Sequence, residues 1–344
     1  MPLVPMRQVL EEAARGNYGV GAFNVNNMEQ IQAIVEAAKQ TRSPVILQAS
    51  RGALKYSRMI YLRNLIMAAV EENPDIPIVM HLDHGNSLKT CQQAIALGFT
   101  SVMIDASLTE DGKSVASYAY NVKTTREVVE YAHNFGVTVE AELGALGGIE
   151  DGHGAGLRGD EHLTDPNQVE DFVKQTGCDA LAVAIGTSHG AYKTLRYDKD
   201  GKPLPPALAL DRIEEIHKRV PSLMLVMHGS SSVPPELVQR LNQFGGNMKN
   251  TMGIPMNDIK FGIARGVRKI NVDTDGRIAF TAAIRKVLAE HPEKFDPRDY
   301  LMPARDALKE LIKSKMTDFG QAGHAGDYKP MTLEDARKKW YAKG

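Results

Sequence analysis

Cysteine is scarce in this chain. Cys91 and Cys178 are the only two, with no CxxC pair and no disulfide framework, a pattern that predicts a reducing, cytoplasmic setting. An excess of either charge is also missing. The 41 basic and 42 acidic residues give a formal net charge of -1, so no broad basic field exists for nucleic acid or an anionic membrane, and any anion site must be local. No apolar run approaches the ~20 residues that span a bilayer. Met1-Pro2-Leu3-Val4-Pro5 leads into Arg7 and Glu11-Glu12 without the basic-then-apolar order of a secretion signal. No Pro/Gly-rich linker separates two cores, so residues 1–344 are expected to form one domain.

What the chain does have is an alternation. Gly19 to Asn26, Pro44 to Ser50, Ile76 to Leu82, Ser101 to Ser107, Val137 to Gly144, Ala180 to Gly186, Leu223 to Gly229 and Lys269 to Asp275 are short apolar runs bounded by turn signals. Such runs read as buried strands of a parallel sheet. Helical patterns lie between them, with Ser87, Thr164-Asp165-Pro166 and Pro234-Pro235 as start signals. Asn257 is expected to cap a short helix ending at Gly266. From about Arg277 the chain reads as a C-terminal helical extension, with Pro292, Pro297 and Pro303 separating its pieces. Eight strand–helix units predict an α/β fold, a (β/α)8 barrel with extra C-terminal helices. The alternative, an open doubly wound sheet, lacks its GxGxxG after the first strand.

The strand ends are polar, and in a barrel they converge on one face. They carry Ser50, Asp83-His84, Asp105, Glu142, Ser188-His189-Gly190, His228-Gly229-Ser230-Ser231 and the stretch Asn271-Val272-Asp273-Thr274. Three of the 10 histidines, His84, His189 and His228, stand at or just beyond these ends. That suggests three nitrogen ligands and an open position, as in catalytic zinc sites. Asp105 and Glu142 could hold a second cation or form the hydrogen-bonding shell around the first. His81 reads as a packed, barrel-lining residue. Gly190, Gly229 to Ser231 and the Asn271–Thr274 turn have the placement of a phosphate grip, with Lys193 and Arg277 as candidate cations. The glycine-rich segment from Gly144 to Gly159, which contains Glu150, Asp151 and His153, is expected to be a mobile active-site loop.

At this point the sequence resembles the class II, metal-dependent fructose-bisphosphate aldolases over nearly its whole length. The residues that carry the resemblance are Gly21-Ala22-Phe23-Asn24-Val25-Asn26, His81-Leu82-Asp83-His84-Gly85, Glu140-Ala141-Glu142-Leu143-Gly144 with Gly147-Gly148, Thr187-Ser188-His189-Gly190, His228-Gly229-Ser230-Ser231 and Asn271-Val272-Asp273-Thr274-Asp275. The extra residues between Phe244 and Pro255 match the longer, Calvin-cycle-type subgroup. The resemblance implies reversible cleavage of fructose 1,6-bisphosphate to dihydroxyacetone phosphate and glyceraldehyde 3-phosphate through an enediolate stabilised by zinc. It implies Zn2+ on His84, His189 and His228, and Asp83 as general acid. Asp105 and Glu142 would belong to an alternative metal position, and a monovalent cation is a further possible cofactor. Gly190, Gly229 to Ser231 and Asn271 to Thr274 would bind dihydroxyacetone phosphate, and Ser50 and Arg277 the other half of the substrate. In relatives that arginine comes from a neighbouring subunit, which implies a homodimer or homotetramer. Some members carry two adjacent acids after the Gly-Gly pair. Here the order is Ile149-Glu150-Asp151, which leaves Glu150 as the favoured base and His189 as its rival.

A Schiff-base route needs a lysine at a strand's far end, and Lys269, opening the eighth strand, is expected at the wrong face. A tagatose-bisphosphate aldolase is the near alternative. A barrel metallohydrolase would not need a second phosphate grip, and a silent sugar-phosphate sensor would not need Asp83.

Overall fold

The computed structural model describes residues 3–147, 162–190, 196–200, 203–249 and 251–342. Eight parallel strands close a barrel: β1 (Val20–Asn24), β2 (Val45–Ser50), β3 (Ile78–Gly85), β4 (Ser101–Ile104), β5 (Thr138–Leu143), β6 (Ala180–Val183), β9 (Met224–Met227) and β10 (Val267–Val272). The order around the barrel is β1-β10-β9-β6-β5-β4-β3-β2. The expected (β/α)8 barrel is therefore present. Between β6 and β9, β7 (Arg196–Tyr197) and β8 (Pro203–Leu204) form a small antiparallel pair.

Around the barrel run α1 (Met6–Gly16), α2 (Met28–Thr41), α3 (Arg51–Ser57), α4 (Met59–Glu72), α5 (Leu88–Ala96), α6 (Tyr118–His133) and α7 (Pro166–Thr176). They are followed by α8 (Leu210–Arg219), α9 (Pro235–Gln243), α10 (Met256–Ile263), α11 (Thr274–Glu290), α12 (Pro297–Asp318) and α13 (Leu333–Ala336). Local chemistry sets several starts. Asn27, Ser87, Ser117 and Asp165 each accept a backbone N–H from the first turn they cap, and Pro166 occupies the first position of α7.

The period of two along a strand sorts the residues. Outward-facing Leu47, Met80, Leu82, Val139 and Leu181 pack under the helices. Inward-facing Val20, Ala22, Ile46, Val79, Met103, Ala180, Ala182, Met224 and Val226 form an apolar floor. The same alternation places Gln48, His81, Glu140 and Lys269 above that floor, and then Ser50, Asp83, Glu142, His228 and Asn271 at the carboxyl ends. Helix α1 closes the other end: Met6 is fully buried and its Sδ accepts from Ser101 Oγ, while Val4 N–H donates to Ile78 O at 3.0 Å.

Three sequence expectations are corrected. The eighth strand starts at Val267 and ends at Val272, so Thr274 and Asp275 lie in the first turn of α11. Helix α10 is preceded by Pro255 and has no side-chain cap, so Asn257 is inside it. Pro303 lies within α12. An internal proline removes one hydrogen bond and costs about 3 kcal/mol. Burial of Ala304, Leu308, Ile312 and Met316 along the same helix offsets this at roughly 1.5–3 kcal/mol per large side chain.

Candidate active site

The barrel's carboxyl face brings together residues far apart in sequence. His228 follows β9 and points inward by simple alternation. His84 does not: counting from Asp83, it should face the helices. Its backbone sits at φ 51, and the β3–β4 register shifts between Leu82 and Gly85. This left-handed residue at a bulge turns the imidazole into the barrel mouth. Arg51 Nε donates to His84 O at 2.9 Å and holds the turn. His189 arrives from the segment after β6, where its N–H donates to Gly147 O at 3.0 Å. Gly229 (φ 59) allows the close approach of the two loops, since a Cβ there would lie 2.5 Å from Ser188 O.

The three rings meet edge to face, with His84 centred 4.7 Å from His189 and 4.8 Å from His228. One ring nitrogen of each lies within 4.8 Å of the others. His84 Nε2 and His228 Nδ1 are 3.0 Å apart. Burial holds His228 well below the ordinary imidazole range, and the nearby His84 and Lys269 add to that. Imidazole nitrogens that converge in this way are the donor set of a divalent metal. A second group shares His84: Asp105 and Glu142 also offer oxygens within 4.8 Å. Asp105 Oδ2 lies 3.2 Å from His84 Nδ1, and Ser107 Oγ donates to Asp105 at 2.7 Å and lies 3.2 Å from Glu142 Oε1. Burial alone would raise the Asp105 carboxyl, but the hydrogen bond and charge of His84 hold it below its usual range. Burial and then the Asp105 charge push Glu142 well above the carboxylate range. Its Oε2 is buried with no hydrogen-bond partner among the described residues. An orphaned oxygen beside a histidine and a carboxylate fits a cation as well.

Asp83 is buried next to this cluster. Its oxygens accept from Asn24 Nδ2 at 3.3 Å and Asn271 Nδ2 at 3.4 Å. Ser50 lies beside Asp83 in the β2–β3 register, and its Oγ accepts the Ala53 N–H at the start of α3. On the opposite side Asp273 N–H donates to Ser231 Oγ at 3.3 Å, so the loop after β9 and the start of α11 adjoin. Gly190 has φ 80, and Ser230 Oγ donates to Met227 O at 3.0 Å. Val272 is a buried end of β10. Arg277 is turned toward its own chain, pairing with Asp273 at 2.7 Å. The expectations for Glu150, for Lys193 and for most of the glycine-rich segment fall outside the described residues.

Two residues are misplaced or overlooked by sequence reading. Lys269 is not at the wrong face of the barrel. It is mid-strand, fully buried and inward, with Nζ 2.9 Å from Glu140 Oε2 and 2.8 Å from Asn271 Oδ1. Glu140 in turn accepts from His228 Nε2 at 2.7 Å and has His81 Nε2 at 3.4 Å. A period-two count back from Glu142 and from Asn271 finds both. Lys269 is thus engaged by two partners below the site, which argues against its service as a Schiff-base amine. His81 lines the barrel as expected, its Nδ1 2.8 Å from Ser101 Oγ.

A parallel barrel with imidazoles and carboxylates gathered at its carboxyl face defines the metal-assisted class of barrel enzymes. A family model described as class-II fructose-bisphosphate aldolase matches residues 4–324. A fructose-bisphosphate aldolase of Giardia intestinalis is 55% identical over 341 residues, covering 99% of this chain and 100% of that protein. One from Nostoc sp. is 53% identical over 353 residues, covering 100% and 97%. Among solved structures, the YdjI aldolase from Escherichia coli K12 superposes with a TM-score of 0.73 at 28% identity, covering 94% of this chain and 100% of that one. The chain belongs to the class-II fructose-bisphosphate aldolase family and is an enzyme, an aldolase of the carbon–carbon lyase class. Among the described residues, no helix is long and apolar enough to cross a membrane.

Proposed function

We propose that this enzyme reversibly cleaves fructose 1,6-bisphosphate into dihydroxyacetone phosphate and glyceraldehyde 3-phosphate, with zinc held by His84, His189 and His228. The observation that carries the reading is the convergence of those three rings beside buried Asp83. A divalent ion bound there supplies Lewis-acid polarisation of the substrate's ketone, worth several kcal/mol at the transition state. Asp83 then takes the proton from the C4 hydroxyl during cleavage and returns it to the aldehyde oxygen during condensation. Asn24 and Asn271 aim its carboxylate from two sides. Asp105 and Glu142 offer the second metal position. The loops at Gly190, Gly229–Ser231 and Asn271–Thr274 hold one phosphate, aided by the N-terminal end of α11, where helix dipoles favour anions. Ser50 faces the other half, Arg277 reaches it from a neighbouring subunit, and Lys193 is a further cation. Glu150 exchanges the C1 proton.

The family resemblance supports a homo-oligomer, a single catalytic barrel over 1–344 and a cytoplasmic setting; light scattering on the purified protein tests the first. A coupled cleavage assay comparing kcat/KM for fructose, tagatose and sedoheptulose bisphosphates tests the substrate. Preference for fructose bisphosphate is expected, and preference for the C4 epimer would reassign it. For the base, Glu150→Gln should slow exchange of the C1 proton of dihydroxyacetone phosphate with solvent. An unchanged rate moves that role to His189.

A further inference from the structure

Beneath the loop after β9 lies an ion pair that the chemistry above does not use. Asp275, in the first turn of α11, is fully buried, and Lys315, on α12, is nearly so; Lys315 Nζ lies 2.8 Å from Asp275 Oδ2. The same carboxylate accepts Ser232 N–H at 3.0 Å, Ser232 Oγ at 3.2 Å and Val233 N–H at 2.7 Å. Lys315 Nζ also donates to Ser232 Oγ. Val233 needs this hold. It is β-branched and buried, yet its φ is 42, a left-handed conformation that persists only where surroundings over-determine it. From above, Ile254 N–H donates to Ser231 O at 3.0 Å, and Gly253 crosses so closely that a Cβ would lie 2.2 Å from Ser231 O. The backbone at Ser231 to Val233 is thus clamped between α10's lead-in and the Asp275–Lys315 pair. Lys315 cannot itself meet an anion, being buried and spent on Asp275 and Ser232.

We propose that Asp275 and Lys315 are positioning residues that set the Ser230–Val233 backbone for phosphate binding, making α12 part of the phosphate grip. This rests on the reading that Gly229 to Ser231 bind a substrate phosphate. Removing one partner of a buried pair leaves the other charged and uncompensated, so Asp275 would shift and release the two amides it fixes. The substrate would then bind more weakly, while the metal and Asp83, held by other contacts, would keep their geometry.

The test uses metal-loaded full-length enzyme and reads KM for fructose 1,6-bisphosphate, kcat, the inhibition constant of dihydroxyacetone phosphate, bound metal and amide exchange over residues 229–234. Lys315→Met should raise KM and the inhibition constant about tenfold or more, change kcat less than threefold, leave metal content at wild-type level and speed exchange across the loop. Lys315→Arg, which keeps the charge in a different shape, should recover part of the loss, and it carries the test where Lys315→Met does not fold. An unchanged KM in a soluble Lys315 variant overturns the proposal, as does a loss of kcat in step with bound metal. Amide exchange of the wild-type enzyme with and without dihydroxyacetone phosphate separates the two ideas. If the ligand does not protect residues 229–231, the phosphate reading itself fails. If it protects them and the Lys315 variants bind it as tightly as wild type, only the positioning role fails.

Discussion

Glu140 Oε1 lies 2.7 Å from His228 Nε2, and the other nitrogen of that ring, Nδ1, lies 3.0 Å from His84 Nε2. The carboxylate therefore fixes the tautomer, putting the proton on Nε2 and the lone pair toward the site. Lys269 balances the buried charge from the far side of Glu140. Partners of this kind fix a metal ligand's orientation and raise its basicity.

Glu140→Gln should keep a hydrogen-bond acceptor for His228 but lose the charge that pairs with Lys269. Metal affinity is expected to fall roughly 10–100-fold, measured by competition with a chelator of known affinity. Equal affinity in the variant would show that Glu140 only fills the barrel.

Asp83→Ala should retain metal, because the described partners of Asp83 are Asn24 and Asn271. Its kcat should drop by about 10²–10⁴, the usual worth of a positioned acid. Elemental analysis beside the rate decides the case: metal lost in proportion to activity would make Asp83 a structural support.

The site was legible where strand period and chain ends sufficed. Apolar runs stopping at Asp83, Glu142 and His228 mark inward positions of a barrel on sequence alone. His84 stands out as a strand-end histidine, but its inward turn depends on a positive φ and a register shift, which no period reveals. A strand counted from Lys269 puts that lysine at the wrong face of the barrel. The strand begins at Val267, which moves Lys269 to mid-strand and into the barrel. Lys315 could not be found, since an amphipathic helix gives no sign that one of its lysines is sealed against Asp275. His133 stacks on Tyr341 and meets Asp179 at 3.0 Å, a tertiary contact without a local signature.

Met6 seals the barrel end opposite the site. Met6→Ala should destabilise the protein by about 2–5 kcal/mol in denaturant titration. The activity of the folded fraction should stay within twofold of wild type, because function in this fold sits at the carboxyl face. A large fall in kcat with intact stability would mean that the two ends are coupled.

Burial pushes the Cys91 and Cys178 thiols up to about 12. Thiolate is the reactive form, so at pH 8 the native protein should resist a thiol-specific disulfide reagent. Both should react promptly once the chain is unfolded in guanidinium. Fast labelling of the native enzyme would show that one of them is reached by solvent.

The central claim is that cleavage depends on a metal at His84, His189 and His228, and removal of that metal tests it most directly. Enzyme stripped by chelator, freed of the chelator and assayed with fructose 1,6-bisphosphate should be inactive, and stoichiometric zinc should restore turnover. His228→Ala should neither retain the metal nor recover. Full turnover in metal-free protein, or a substrate–lysine adduct trapped by borohydride, would contradict the account.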